Sequence, residues 1–385
     1  MSFKDLFSRS LGADPERLHF AAHSHHLWPD ASFDGQMETW NDAARLADLK
    51  WDKVMEEVWP AAQKEVASEL GTGEPDAVVF APNTHQLIVS LFAAASSAWP
   101  IRVLTTDGEF HSARRQFARW EEAGAAQVER IPVEPFETFS ARFLEEAQSG
   151  RHDFILVSQV LFGSGRIFDR VDEVAALGRP DGPWVVIDGY HAFMAVDRPF
   201  SAEAATSAFY LGGGYKYAMS GEGCAFLHAP PGYGPRPRIT GWFAEFEDLT
   251  LPPGSVGYAA DASRFLGATF DPSALYRFTS VRRMLAENGL TTERISAHCA
   301  GLQARLSGSL DGTALANAEL LNPLDGGPHA RFLAFRAPDA QRWYSNLKAR
   351  NCITDVRGEV LRIGFGIYQD EEDVDRLVEL LGGLA

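Results

Sequence analysis

Hydrophobic positions alternate along the chain between short, almost continuously apolar runs and longer stretches with the periodicity of amphipathic helices. FILVS at 154–158 and WVVID at 184–188 are typical of strands buried on both faces of a sheet. Strands are predicted at 77–80, 102–105, 127–131, 154–158, 184–188, 208–211 and 224–228, and helices at 53–70, 84–98, 112–123, 136–148 and 171–177. This alternation predicts an α/β layer in which helices cover a mostly parallel central sheet.

The pattern changes after residue 229, where the stretches APPGYGPRPRIT and PPGSVGYAAD are rich in proline and glycine. Beyond them we predict helices at 273–287, 292–310, 338–351 and 371–381, and strands at 331–337 and 360–365. These elements indicate a smaller α+β domain. We therefore expect an N-terminal segment at 1–50, a large α/β domain at 51–260 and a small C-terminal domain at 261–385.

Composition narrows the class of protein. The chain has 385 residues, of which 45% are hydrophobic, so it can fill a substantial core. A net charge of −17 disfavours nucleic acid and anionic membrane as partners, because the long-range field repels polyanions. The three cysteines are too few for a disulfide framework, and no apolar run reaches the ~18 residues of a membrane span. With no signal-like N-terminus, these features predict a soluble cytoplasmic protein.

Two charged residues stand at the ends of successive predicted strands. Asp188 closes WVVID, and Lys216 follows the next strand within GGGYKY, 28 residues later. Either residue alone is typical of an ordinary loop end, but ligands bind at the carboxyl ends of parallel strands. An amine and an acid at that edge suit a pyridine aldehyde cofactor, because the lysine forms a Schiff base and the acid pairs with the protonated ring nitrogen.

The ordered segments DGYHA, GGGYKY and GWF at 241–243 resemble landmarks of kynureninase, a family within the class V, fold-type-I pyridoxal-phosphate (PLP) enzymes. VLFGSGRIFDRVDEVAALG at 160–178 and VLRIGFGIY at 360–368 are similar to further segments of that family. The resemblance thus covers most of the chain. It implies the fold-type-I PLP-dependent transferase fold, PLP as cofactor and a homodimer with shared active sites.

The resemblance also implies roles for residues around the cofactor. Lys216 would be the Schiff-base lysine and Asp188 the partner of the pyridinium nitrogen. His191 would lie near the ring oxygen of the cofactor, and Tyr215 would hydrogen-bond its phosphate.

Three further positions are assigned by the same resemblance to the substrate or to a partner subunit. Trp242 would approach the phosphate or the substrate from the dimer partner, and Thr269 resembles a position that reaches a partner's phosphate. Arg362 would bind the substrate α-carboxylate, a task that suits the planar fork of a guanidinium. Without the resemblance, a surface ion pair would be the simpler interpretation of Arg362.

Two loops contribute candidate residues that would bind the phosphate of the cofactor or stack on its pyridine ring. Asn83 and Thr84 open an amphipathic helix, whose N-terminus offers free N–H groups to an anion, although ordinary capping explains them as well. The family places its phosphate-binding pair here. In the loop DGEFHS, Phe110 and His111 compete to stack on the pyridine ring, and we favour His111, which fits the pattern of related transaminases and desulfurases.

The segment AAHSHHLWP at 21–29 holds three histidines. His23 and His25 would share a face if the segment were extended, but no cysteine or carboxylate cluster completes a metal site, so we predict none. Kynureninases carry an Asn-Ser-Leu-Gly-like turn near the substrate at this place. This chain keeps Ser24, which the resemblance makes a substrate-binding residue, and otherwise departs from that turn, so the substrate stays open.

The favoured function is kynureninase-type hydrolysis of the Cβ–Cγ bond of L-kynurenine to anthranilate and L-alanine. The alternatives are a class V aminotransferase or related PLP lyase acting on another amino acid, and a PLP-fold binding protein without catalysis. Intact Lys216 and Asp188 argue against the last. A cysteine desulfurase is disfavoured, because Cys352 in RNCITDV resembles a buried small residue rather than a loop nucleophile.

Overall fold

The structure, a computed structural model, describes residues 2–95, 98–245, 250–252, 254–324 and 328–384. The strands are β1 Leu18–His19, β2 Val78–Ala81, β3 Ile101–Thr106, β4 Ala126–Ile131, β5 Phe154–Ser158, β6 Trp184–Asp188, β7 Ala208–Gly213, β8 Ala225–His228, β9 Glu319–Leu320, β10 Phe332–Arg336, β11 Cys352–Ile353, β12 Asp355–Arg357 and β13 Val360–Gly364. The α-helices are α1 Ser8–Gly12, α2 Asp30–Leu46, α3 Lys50–Lys53, α4 Trp59–Leu70, α5 Thr84–Ala95, α6 His111–Glu122, α7 Phe136–Ala147, α8 Val171–Ala175, α9 Ser273–Glu287, α10 Thr292–Ser307, α11 Ala340–Ala349 and α12 Glu371–Gly382. Within these described ranges no helix is long and apolar enough to cross a membrane.

A seven-stranded sheet in the order β2-β8-β7-β6-β5-β3-β4 forms the centre of the molecule. Strands β3 to β7 are parallel, and β8 runs antiparallel to both of its neighbours. Every residue of β5, β6 and β7 is buried, as their continuous apolar sequences predict. The predicted α/β layer with a mostly parallel sheet is therefore confirmed, and the carboxyl ends of β3, β5, β6 and β7 meet at one edge.

The C-terminal part contains a second, antiparallel sheet in the order β12-β13-β10-β9. Ala334 of β10 lies opposite Arg362 of β13, which brings this arginine to the middle of the sheet. Cys352 is fully buried in β11, as predicted. The appended α+β architecture is thus present, and the exact bounds of the three predicted domains stay a prediction.

The N-terminal segment is more structured than its sequence pattern indicates. It contains α2, and β1 pairs in parallel with β11 of the C-terminal part. Hydrophobic periodicity missed α2 because the residues that it buries are Ser32, Gly35 and Asp42, which are small or polar. Its large apolar side chains Phe33, Met37 and Trp40 are exposed instead.

Close packing of α2 on α9 explains the small residue at position 35. A Cβ atom on Gly35 would lie 2.7 Å from the carbonyl oxygen of Tyr276 and 2.9 Å from Cα of Arg277. Polar contacts flank this crossing, since the Tyr276 hydroxyl donates to Asp42 at 3.1 Å and Arg277 donates to Gln36 at 2.5 Å. The N-terminal segment is thereby fixed to the helix that opens the C-terminal part.

We expect Gly35→Ala to lower the free energy of unfolding by about 1–3 kcal/mol, because the added methyl group must push two helix backbones apart. Urea denaturation followed by circular dichroism measures this. Gly301→Ala is the matched control, since a Cβ there meets nothing within 4 Å on α10. That control should raise stability by about 0.5–1 kcal/mol. Equal effects of the two changes would contradict the packing argument.

Candidate active site

A small cavity opens at the carboxyl edge of the central sheet, where β5, β6 and the loop after β7 meet. Ser158 and Asp188, the last residues of β5 and β6, lie side by side in the ladder. Lys216 comes three residues after the end of β7, so the predicted acid and amine are brought together. The cavity is lined by Thr84, Phe110, Ser158, Val160, Phe162, Asp188, Tyr190, His191, Tyr215 and Lys216.

The amine of Lys216 is buried among aromatic rings. Its Nζ atom lies 2.7 Å from Nε2 of His191, and 4.7 Å and 5.6 Å from the ring centroids of Tyr190 and Phe110. Burial lowers the pKa of Lys216 to about 7, an effect that the charge of Asp188 opposes and that of Arg362 increases. The side chain is therefore available as a neutral, nucleophilic amine near neutral pH.

Asp188 is a buried carboxylate whose Oδ1 accepts a hydrogen bond from the N–H of Tyr190 at 3.0 Å. Burial raises its pKa, while this hydrogen bond and the charge of Lys216 act in the opposite direction. A buried carboxylate is stabilised in its charged form by a cationic partner. The protonated nitrogen of a pyridine ring is a partner of that kind.

His191 contacts both the Lys216 amine and the ring of Phe332 in β10. Its Nδ1 atom is buried and has no hydrogen-bond partner among the described residues. Burial holds the pKa of His191 well below its ordinary value, and the charge of Lys216 adds to the shift. The ring is thus neutral, and a buried nitrogen without a partner marks a position where a ligand atom or a water would be hydrogen-bonded.

The N-terminus of α5 lies at the cavity and offers an anion site. Thr84, the first residue of α5, lines the cavity. Oδ1 of Asn83 accepts the N–H of Gln86 at 2.9 Å, which is the geometry of a cap. Tyr215 lines the same cavity, and burial raises its pKa to about 12, so its hydroxyl keeps its proton. These groups can donate hydrogen bonds to a phosphate.

Phe110 and His111 take different positions at the start of α6. The Phe110 ring lines the cavity beside Lys216, whereas His111 is absent from the lining residues. Nδ1 of His111 accepts a hydrogen bond from Arg114 at 3.1 Å, and its ring lies 5.2 Å from that of Phe162. The geometry therefore favours Phe110 over His111 next to the amine, and which ring stacks on a cofactor stays a prediction.

Arg362 is buried behind Phe162 of the cavity wall, is not itself among the lining residues, and already binds other groups of this chain. Its guanidinium donates to the carboxylate of Asp355 and to the carbonyl oxygen of Phe162. Its Nε atom has no partner in the described part of the chain. The positive charge reaches the cavity, since it lowers the pKa values of both Lys216 and His191. A carboxylate bound there would find an unused donor.

The histidine-rich N-terminal segment folds into a turn rather than an extended strand. His23 is buried and stacks on Phe332 at 4.6 Å, while His25 stacks on Tyr215 at 4.9 Å. The two rings thus face different groups, and the shared face considered for an extended segment does not form. Ser24 lies between them in the chain, with Oγ 3.4 Å from Nδ1 of His25. The turn is joined to the loop that carries Lys216 by the N–H of His26, which donates to the carbonyl oxygen of Tyr215 at 3.1 Å.

Trp242 and Thr269 lie outside the cavity of their own chain. The indole N–H of Trp242 donates to Oγ1 of Thr269 at 3.2 Å, and Trp242 is 45% exposed. Neither residue is among those that line the cavity. The structure therefore joins these two residues to each other and not to Lys216.

Sequence reasoning missed four residues that line the cavity, namely Ser158, Val160, Phe162 and Tyr190. Ser158 ends β5, whose carboxyl end adjoins that of β6, and Val160 and Phe162 follow it in the chain. The position of Ser158 at a strand end was a usable signal. Phe162 contributes a ring to the cavity and a backbone carbonyl to Arg362, and no sequence pattern marks a carbonyl acceptor.

The chain is similar to several known proteins in sequence and in fold. Residues 295–381 match the family of kynureninase C-terminal domains. Isopenicillin N epimerase of Streptomyces clavuligerus is 27% identical over 381 aligned residues, covering 89% of this chain and 89% of that protein. A cysteine desulfurase from Thermococcus onnurineus NA1 superposes with a TM-score of 0.80 at 16% identity, covering 100% of this chain and 98% of the other. A mutant of C-DES with glycine covalently linked to PLP superposes with a TM-score of 0.77 at 15% identity, covering 97% of this chain and 98% of the other.

The fold is that of the fold-type-I PLP-dependent enzymes. Residues 295–381 resemble the C-terminal domain of kynureninase, and one solved structure of this fold holds glycine linked to PLP. The site fits this cofactor on its own chemistry. A buried amine, a buried acid, an unpartnered imidazole nitrogen and a helix N-terminus surround one cavity.

Proposed function

We propose that this protein hydrolyses the Cβ–Cγ bond of L-kynurenine to give anthranilate and L-alanine. The observation that carries the proposal is the buried Lys216 amine, with a pKa of about 7, beside Asp188 at adjoining strand ends. The match of residues 295–381 to the kynureninase C-terminal domain supports hydrolysis of kynurenine over other class V reactions.

The residues proposed to hold PLP surround the cavity. Lys216 would bind the aldehyde, Asp188 the ring nitrogen and His191 the ring oxygen. Asn83, Thr84 and Tyr215 would donate to the phosphate, and the ring of Phe110, or in the sequence-based alternative that of His111, would cover the pyridine. When bound, PLP withdraws electrons from the substrate Cα and so weakens the bonds around it.

Lys216 also supplies a base at the reacting carbon. Once the substrate amine has replaced it, the free amine can take the Cα proton, because burial lowers its pKa to about 7 and so leaves about half of it unprotonated at neutral pH. His191 Nε2, 2.7 Å away, orients that amine. One water molecule completes the reaction, because its hydroxyl group bonds to the side-chain carbonyl carbon, which becomes the carboxyl carbon of anthranilate. The Cβ–Cγ bond breaks with its electron pair on Cβ, and the remaining proton of the water and the proton held by Lys216 are returned to Cβ and Cα to give alanine.

The surroundings of the cavity suit an aromatic amino acid. Arg362 would bind the α-carboxylate through its unused Nε edge, and Ser24 lies on the turn next to the lysine loop. Phe110, Phe162 and Tyr190 present apolar ring surface to the cavity. Aromatic rings pack favourably on such walls, and the anthraniloyl group of kynurenine is an aromatic ketone.

A homodimer with shared sites is part of this proposal. Trp242 and Thr269 form a hydrogen-bonded pair on the surface, outside their own cavity, and would serve the cofactor or substrate site of the partner. The exposed apolar stripe of Phe33, Met37 and Trp40 on α2 is the kind of surface that a second subunit covers.

The direct test is an assay with L-kynurenine and PLP in the absence of any keto acid, with fluorescent anthranilate and alanine measured together. We expect both products in equal amounts. Lys216→Ala should lower turnover by about 10³-fold or more, because it removes both the cofactor anchor and the base. Lys348→Ala, at an exposed lysine of α11, is the control and should behave as wild type.

Turnover that requires a keto-acid acceptor would contradict hydrolysis and indicate a class V aminotransferase. A colourless protein whose absorption spectrum is unchanged by added PLP would contradict the enzyme proposal as a whole.

Shared sites predict complementation between two inactive variants. Lys216→Ala and Trp242→Ala subunits, mixed after mild dissociation, should form hybrid dimers in which one site keeps both native residues. Random pairing would restore roughly a quarter of wild-type turnover. Each variant passed alone through the same procedure is the control. A mixture no more active than its two parents would contradict a contribution of Trp242 to the partner's site.

A further inference from the structure

A buried carboxyl group, that of Glu109, lies directly behind the cavity, and the proposed reaction does not use it. Glu109 belongs to the loop between β3 and α6 and is 1% exposed. No ion pair to it occurs among the described residues. A carboxyl group buried without a cation lowers stability unless hydrogen bonds compensate, so its contacts deserve an explanation.

Three donors from the ends of two strands hold this carboxyl group. The Ser158 hydroxyl donates to Oε2 at 2.5 Å, and the Ser158 N–H donates to Oε1 at 3.1 Å. The Thr106 hydroxyl donates to the same Oε1 at 2.7 Å. Burial raises the pKa of Glu109 to about 7 against the effect of these hydrogen bonds, and the charge of Asp188 raises it further. The group is thus fixed in place and electrostatically close to Asp188.

Ser158, which binds this carboxyl group, and Phe110, which follows Glu109 in the chain, both line the cavity. Ser158 lines it and lies beside Asp188 in the β5–β6 ladder. Phe110 follows Glu109 directly in the chain and lines the cavity with its ring beside Lys216. Glu109 therefore connects a hydroxyl group on one wall of the cavity to the loop that carries an aromatic ring on another.

We infer that Glu109 is a positioning residue of the cofactor site, which fixes the Ser158 hydroxyl and the loop that carries the Phe110 ring at the walls of the cavity that would hold PLP. The inference rests on the proposed function, because it assigns Glu109 a role toward the same cofactor. Glu109 does not itself line the cavity. It acts through Ser158 and Phe110, which do.

The experiment measures PLP binding and the visible circular dichroism of bound PLP in Glu109→Ala, Glu109→Gln and Ser158→Ala. A bound chromophore has a dichroic band only while its surroundings hold it in one orientation. We expect Glu109→Ala to raise the dissociation constant of PLP about tenfold and to lose at least about half of the visible band. Glu109→Gln keeps the acceptor and a donor toward Ser158, so it should stay within about threefold of wild type.

Glu122→Ala is the matched control, since it removes an exposed glutamate from α6, the helix that follows the loop. It should leave both readouts unchanged. Far-ultraviolet circular dichroism reports folding in every variant, and Ser158→Ala should weaken the visible band even if Glu109→Ala fails to fold. Wild-type PLP affinity and a wild-type visible band in Glu109→Ala, or in Ser158→Ala where the former is unfolded, would overturn the inference. A wild-type protein that binds no PLP would instead overturn the proposed function.

Discussion

Burial of the Lys216 amine next to the buried carboxylate of Asp188 is the constraint on which the rest of the site depends. Removing an ammonium group from water disfavours its charged form, and the charge of Asp188 offsets this only in part. The same burial raises the pKa of Asp188. A cofactor with an aldehyde group and a cationic ring nitrogen would bond to the buried amine through the first and pair with the buried carboxylate through the second. The site is therefore built for a ligand of that chemistry.

The central sheet produces this arrangement because its strands are parallel and fully buried. Parallel strands end at one edge, and the ends of β5 and β6 place Ser158 next to Asp188 while the loop after β7 returns Lys216 to the same point. The C-terminal sheet contributes Arg362 from its middle strand. A rigid scaffold thus carries the chemistry on strand ends and loops, the usual division in open α/β folds.

The sequence predicted the parts of this structure in which local pattern and tertiary role agree. The continuous apolar runs predicted the first and last residues of β5 and β6 correctly. Asp188 was singled out because it ends β6. Helix α2 was not predicted, because it buries the small or polar residues Gly35 and Asp42 against α9 and exposes Trp40, which is the reverse of an amphipathic pattern. Details of the site that depend on three-dimensional contact could not be predicted from the sequence either. Examples are the carbonyl group of Phe162, which accepts a hydrogen bond from Arg362, and the turn that directs the rings of His23 and His25 to different groups. Choosing between Phe110 and His111 needed the orientation of a loop, which periodicity does not encode.

The most direct measurement of the central claim is chemical trapping. The purified protein is incubated with PLP, reduced with borohydride, digested and analysed by mass spectrometry. The account predicts a phosphopyridoxyl adduct on the peptide that contains Lys216, formed in wild type and lost in Asp188→Ala, which removes the acid that retains the ring. An adduct spread over exposed lysines, or one confined to a different lysine, would contradict it.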